Sequence, residues 1–165
     1  MAHTLVGIDP GWKNLGAAVV DSDGELRTRV FNPSKYPTLS DVVEDVLSFC
    51  LVPSLDHGDV QLTIERYVAY EGVHNADSEF ILMTMGAIVA EFQRRQYFVR
   101  PLRAIEWKPA LCKKLFKEVG FRNPSQTFDK VYSIAAAKAL APQFKGTDHE
   151  ADAVCLAYLG QWLKS

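Results

Sequence analysis

Short β-branched runs and longer helical periodicities alternate along this chain. Leu5, Val6 and Ile8 form an apolar run that ends at Asp9. Pro10 has no amide hydrogen for a sheet ladder, so the run predicts a buried strand that stops at Asp9. The segment GAAVVD from Gly16 predicts a second strand, residues 21–24 a turn, and residues 25–31 a third strand with Leu26, Thr28 and Val30 on one face. Together they read as a three-stranded antiparallel meander. Residues 32–37 read as loop. Leu39, Val42, Val43, Val46, Leu47 and Cys50 then recur at helical spacing behind a cap at Thr38 or Ser40. Residues 53–59 connect this helix to the next strand, with His57 facing solvent. In residues 60–65, Val60, Leu62 and Ile64 alternate with Gln61, Thr63 and Glu65, a fourth strand with a carboxylate at its polar end. A right-handed crossover makes it parallel to the first strand, so Asp9 and Glu65 fall at neighbouring carboxyl ends roughly 5 Å apart.

The second half is more helical. Residues 66–76 read as a Tyr-rich polar loop and 77–95 as a helix apolar almost all round, which predicts burial on more than one side. Residues 97–104 read as a fifth strand. Trp107, Lys108 and Pro109 open the next helix, with Pro109 in its first turn, an inner stripe of Leu111, Cys112, Leu115, Phe116 and Val119, and an outer stripe of Lys113, Lys114 and Lys117. Gly120 ends it. Asn123, Pro124, Ser125 and Gln126 are expected to cap a helix that runs to about Leu140, before Pro142. In the last element Thr147 and Glu150 form a capping box, which puts Asp148 and His149 in the first turn and Asp152 on their face. The apolar residues that follow suit packing on a sheet, and a helix docked that way carries Asp152 towards the sheet's functional edge.

The 165 residues suit one domain, 1–165, with a full core. No apolar run approaches the ~18 residues of a membrane span. The opening MAHTLVGID has no basic region before an apolar stretch, so no secretion signal is expected. Cys50, Cys112 and Cys155 are widely spaced and odd in number, unlike a zinc site or a disulfide framework, and suit a reducing, cytoplasmic setting. The net charge of −2 conceals an asymmetry. Residues 94–145 hold 12 Lys or Arg against 3 Asp or Glu, a balance of +9; the remainder holds 6 against 17, or −11. A basic segment beside an acidic remainder points to a polyanion partner and to a separate carboxylate cluster.

An Asp before Pro-Gly is also a common turn former, and acidic residues near a helix start also complement the helix dipole. Two carboxylates held at neighbouring strand ends, however, repel unless a proton or cation lies between them. Hydrolysis of a phosphodiester needs an activated water, charge neutralisation at phosphorus and a stabilised leaving oxygen, which two Mg²⁺ roughly 4 Å apart supply. Asp9, Glu65 and Asp152 offer the oxygen ligands such hard cations prefer.

An Asp on the first strand, a Glu on the fourth and an acidic group opening the last helix resemble the order of the ribonuclease H-like nucleases. GIDPG with a glycine five residues on, IE before an aromatic loop ending NADS, and the terminal DHEADA resemble the RuvC family of Holliday junction resolvases, bacterial or phage type, over about residues 5–160. The resemblance implies an α/β fold with a five-stranded mixed sheet, three antiparallel strands plus parallel ones, flanked by helices. It implies Asp9, Glu65 and Asp152 as catalytic metal ligands for two Mg²⁺ (or Mn²⁺), with His149 in the fourth position and Asp148 as the alternative. Asp9 reads as the bridging ligand, His149 as ligand or proton shuttle, and Lys108 as the active-site lysine. Val68 stands where relatives place an aromatic wedge, with Tyr67 and Tyr70 on either side. Tyr67, Tyr70, Arg100, Arg103, Lys108, Lys113, Lys114 and Lys117 are the expected DNA contacts, through phosphates above all. The expected activity is paired, symmetric nicking of four-way DNA junctions, leaving 5′-phosphate and 3′-hydroxyl ends, by a homodimer built on the 77–95 helix around Met85 and Ile88. Competing readings are a nuclease acting on RNA–DNA hybrids and a non-catalytic junction binder. An actin-like ATPase would need two such domains, and the chain is too short.

Overall fold

Five strands give a single sheet in the order β3-β2-β1-β4-β5. A computed structural model of the chain describes residues 3–51, 60–67, 76–122 and 128–163. The strands are β1 (Thr4–Asp9), β2 (Leu15–Val20), β3 (Leu26–Phe31), β4 (Val60–Glu65) and β5 (Phe98–Leu102). β1, β2 and β3 form the antiparallel meander, and β4 and β5 join it in parallel. The expected mixed sheet is therefore present. Ile8 pairs with Ile64, so Asp9 and Glu65 leave adjacent strands at the same level.

The strand alternation decides what lies on each face. On one, Val6, Ile8, Leu62 and Ile64 pack against helices α1 (Leu39–Cys50) and α2 (Ala76–Arg94). Thr38 caps α1 in a reciprocal capping box with Asp41. Arg29 of β3 reaches the same side and makes a two-pronged bond to Asp45 at 3.0 and 2.8 Å. On the opposite face lie α3 (Ala104–Val119), α4 (Lys130–Leu140) and α5 (Asp148–Trp162), around Trp107, Leu111, Leu115, Tyr132, Leu156 and Leu159.

The helix α5 rests almost backbone-to-backbone on the sheet. A Cβ added to Gly7 would overlap the carbonyl oxygen of Ala153, and one added to Gly16 that of His149. Glycine at these two positions is what lets the start of α5 sit beside the end of β1. Thr28 on β3 pins the same turn by donating to Glu150 Oε1 at 2.8 Å.

Three expectations change. β5 ends at Leu102 and α3 begins at Ala104, a turn earlier than Pro109 suggested, because Glu106 reaches back and accepts from the Arg103 backbone N–H at 2.8 Å and from its guanidinium at 2.7 Å. Pro109 thus lies inside the helix. The cap expected at 123–126 and the connection at 53–59 lie outside the described residues; α4 is capped by Asp129, whose side chain accepts from Tyr132 N at 2.9 Å. Met85 and Ile88 do not face outward as dimer contacts. They are 7 % and 0 % exposed in the chain's own core, because they point from α2 to the sheet. α3 and α4 lie across the sheet and leave the outer side of α2 uncovered among the described residues, where Leu82 and Met83 are 43 % and 59 % exposed. No described helix is long and apolar enough to cross a membrane.

Candidate active site

β1, β4, α3, α4 and α5 converge on a cleft of about 400 Å³, lined by Asp9, Glu65, Lys108, Phe128, Asp129, Lys130, Ser133, Asp148, His149 and Asp152. Strand ends supply Asp9 and Glu65. The capping box of Thr147 and Glu150, closed by bonds of 2.8 and 3.1 Å to Glu150 Oε2, fixes the first turn of α5 and so the places of Asp148, His149 and Asp152. All five predicted catalytic residues, Asp9, Glu65, Lys108, His149 and Asp152, therefore line one cavity.

The electrostatics are those of crowded negative charge. Asp152 is pushed up to about 7, by burial first and then by the charge of Asp9. Glu65 is raised by burial and by Asp9, with the Trp107 hydrogen bond and Lys108 opposing. His149 Nδ1 lies 3.4 Å from Asp9 Oδ2, and this contact raises its pKa. Asp148 turns to Lys130 instead, Nζ to Oδ2 2.8 Å, which holds its carboxyl below the usual range. Of the neighbouring pair, His149 is the one that faces Asp9.

Asp152 Oδ1 is enclosed and has no hydrogen-bond partner. A buried carboxylate oxygen left so is costly unless a proton or a cation satisfies it. Among the described residues no three His, Cys, Asp or Glu side chains close tightly enough on one point to hold an ion as they stand. The donor chemistry nevertheless fits a hard divalent cation: three carboxylates in one cleft, one with an orphaned oxygen, and two of them, Glu65 and Asp152, raised by burial and by the charge of Asp9.

The expected DNA contacts divide. Lys108 reaches the cleft, its Nζ 5.3 Å from the Trp107 ring centre and 5.1 Å from that of Phe128. Lys113 and Lys117 stand exposed on α3, and Lys114 is half-buried there. Arg100 is tied to the carbonyl of Leu163, Arg103 to Glu106 at 2.7 Å, and Tyr67 to Ser78 at 3.2 Å. Tyr70 and Val68 lie outside the described residues. Sequence reasoning missed Trp107, which donates to Glu65 Oε2 at 2.6 Å, and the cleft residues Lys130 and Ser133. The signal for Trp107 was available, since a buried indole N–H needs an acceptor.

Neither a protein-family model nor a curated protein sequence matches the chain. Solved structures do. A structure of Thermus thermophilus RuvC in complex with a Holliday junction substrate is 18 % identical, with 94 % of this chain and 91 % of that chain covered and a TM-score of 0.58. A second structure of Thermus thermophilus RuvC is 17 % identical, with 94 % and 92 % covered and a TM-score of 0.54. With its five-stranded mixed sheet between two layers of helices, this chain has the ribonuclease H-like fold of the RuvC Holliday junction resolvases.

Proposed function

We propose that this protein is a divalent-cation-dependent endodeoxyribonuclease that resolves four-way DNA junctions. The observation that carries the reading is the convergence of Asp9, Glu65 and Asp152, from three separate elements, on one cleft where an oxygen of Asp152 is enclosed without a partner. These three carboxylates would hold Mg²⁺ or Mn²⁺, two ions per site, with His149 as the fourth group. When bound, such ions activate water, neutralise charge at phosphorus and stabilise the leaving oxygen.

The chain's own groups do the rest. Lys108, braced against two aromatic rings, presents a positive charge to the scissile phosphate. His149 turns Nδ1 to Asp9, which leaves its other ring nitrogen to hold or release a proton at the DNA. Lys113, Lys114 and Lys117 grip backbone phosphates further along α3, without reading sequence. The products are 5′-phosphate and 3′-hydroxyl ends. The outer face of α2 is a two-fold contact between copies, so that each subunit nicks one of two opposed strands.

Incubation with an end-labelled four-way junction tests this. Paired nicks at symmetric positions are expected with Mg²⁺ and none with a chelator. Asp9→Asn should abolish cleavage and leave junction binding nearly intact. Cleavage by that variant near the parent rate, or cutting of linear duplexes and RNA–DNA hybrids as fast as junctions, would overturn the proposal.

A further inference from the structure

Trp107 is the bulkiest fully buried side chain among the described residues, yet its polar end serves the cleft rather than the core. Its Nε1–H donates to Glu65 Oε2 at 2.6 Å. The ring meets Phe128 edge-on, at 5.2 Å between centres and 82°, and Phe128 meets Tyr132 in turn at 4.6 Å. Lys108 Nζ lies 5.3 Å from the same indole. A buried indole N–H needs an acceptor, and a neutral backbone carbonyl would satisfy it. Here the acceptor is a half-buried carboxylate at a strand end, within the field of the Asp9 charge. A short charge-assisted bond to one oxygen stops the carboxylate from rotating and leaves the other oxygen for a second partner.

We propose that Trp107 is a positioning residue that presets the Glu65 carboxylate for a divalent cation and holds Lys108 beside it through its ring face. The inference rests on the cation-dependent reading above. Residues of this kind fix a ligand's orientation before the ion arrives, and their loss typically weakens metal affinity by about 10–100-fold. α3 thereby contributes to the site twice: its core packing fixes the ring, and the ring fixes the two charged groups on either side.

Calorimetric titration with Ca²⁺, alongside thermal unfolding, separates positioning from packing. Trp107→Phe keeps an aromatic ring in the core and removes only the donor and some volume. It should bind Ca²⁺ at least about tenfold more weakly than the parent, while Lys108→Ala, which spares the indole bond, should not. A Trp107→Phe protein that loses thermal stability but binds Ca²⁺ as tightly as the parent overturns the positioning role and leaves the cation site standing. A parent that binds no Ca²⁺ overturns both. Should Trp107→Phe fail to fold, a protein with Trp12 and Trp162 replaced by Phe keeps Trp107 as its one tryptophan, excited selectively at wavelengths beyond the absorption of the tyrosines. Ca²⁺ should then shift its emission, and adding Glu65→Gln should abolish the shift; an emission indifferent to Ca²⁺ in a protein that binds the ion overturns the inference.

Discussion

A carboxylate with one oxygen enclosed and unpartnered, beside another carboxylate, is a source of instability that function must explain. Asp152 is such a group, with its pKa pushed up to about 7. The unfolded chain releases this proton near pH 4, whereas the folded one keeps it until about 7. Across that window the unfolded state binds fewer protons, so stability falls as pH rises and levels off above about 7. Glu65 and His149, both raised, act in the same direction. Allowing for screening at the open side of the cleft, the Asp152 share is on the order of 2 kcal/mol, or roughly 4–8 °C. A bound cation removes the penalty. Thermal unfolding should therefore show Mg²⁺ raising the midpoint more at pH 8 than at pH 5, and Asp152→Asn should flatten both the pH slope and the Mg²⁺ effect. Equal Mg²⁺ stabilisation at the two pH values would count against Asp152 as a ligand. Its neighbours separate in the same spirit: His149 faces Asp9, while Asp148 is occupied by Lys130.

At the level of elements, the site is a consequence of how closely α5 approaches the sheet. Gly16→Ala would set a methyl against the carbonyl oxygen of His149, a backbone atom that cannot rotate away. The first turn of α5 would have to lift, carrying His149 and Asp152 from Asp9. Overpacking of this kind costs about 1–3 kcal/mol, and a displacement of about 1 Å at a catalytic group costs on the order of 100-fold in rate. Gly16→Ala should thus remain folded and bind junctions but cut them far more slowly; near-parent cleavage would show that the approach does not set the site. The three carboxylates were legible in the sequence because strand alternation stops at Asp9 and Glu65, and because a capping box fixes where α5 starts. The partner of Glu65 was not. A strand over 97–104 with Pro109 in a first turn puts Trp107 at a helix opening, whereas Glu106, accepting from the Arg103 backbone N–H, starts α3 a turn earlier, with the indole turned inward. Lys130 was hidden in the same way, inside a helix expected behind a cap at 123–126, whereas the described helix starts at the Asp129 cap and puts Lys130 in its first position.

For the molecule as a whole, α2 has one apolar side that nothing among the described residues covers. A helix apolar on every side does not reveal which side meets the sheet, and that is why Met85 and Ile88 were read as contacts. They fill the core, and the side left over carries Leu82, Met83 and Gly86. Among the described residues no atom beyond its neighbours and its own helical backbone lies within 4 Å of a Cβ built on Gly86, so a second helix could approach closely there. Exposed apolar side chains on one face, next to a small residue, suit a self-complementary contact about a two-fold axis. The proposed substrate, a four-way junction, has the same symmetry. One active site on a monomer can nick a four-way junction on only one strand per encounter, and a single nick leaves the branch joined. Two sites related by a two-fold axis can cut opposed strands in one bound complex. Sedimentation equilibrium at micromolar concentration should accordingly give about twice the chain mass. Leu82→Glu with Met83→Glu should halve that mass, keep the thermal midpoint, and replace paired nicks by single ones. Met85→Glu should act differently, because a charge placed at a position 7 % exposed unfolds the subunit rather than parting two folded ones. If the Leu82 and Met83 variant stays dimeric, the contact lies on another face; if the parent is a monomer and still makes paired nicks in one encounter, the two-fold arrangement is wrong.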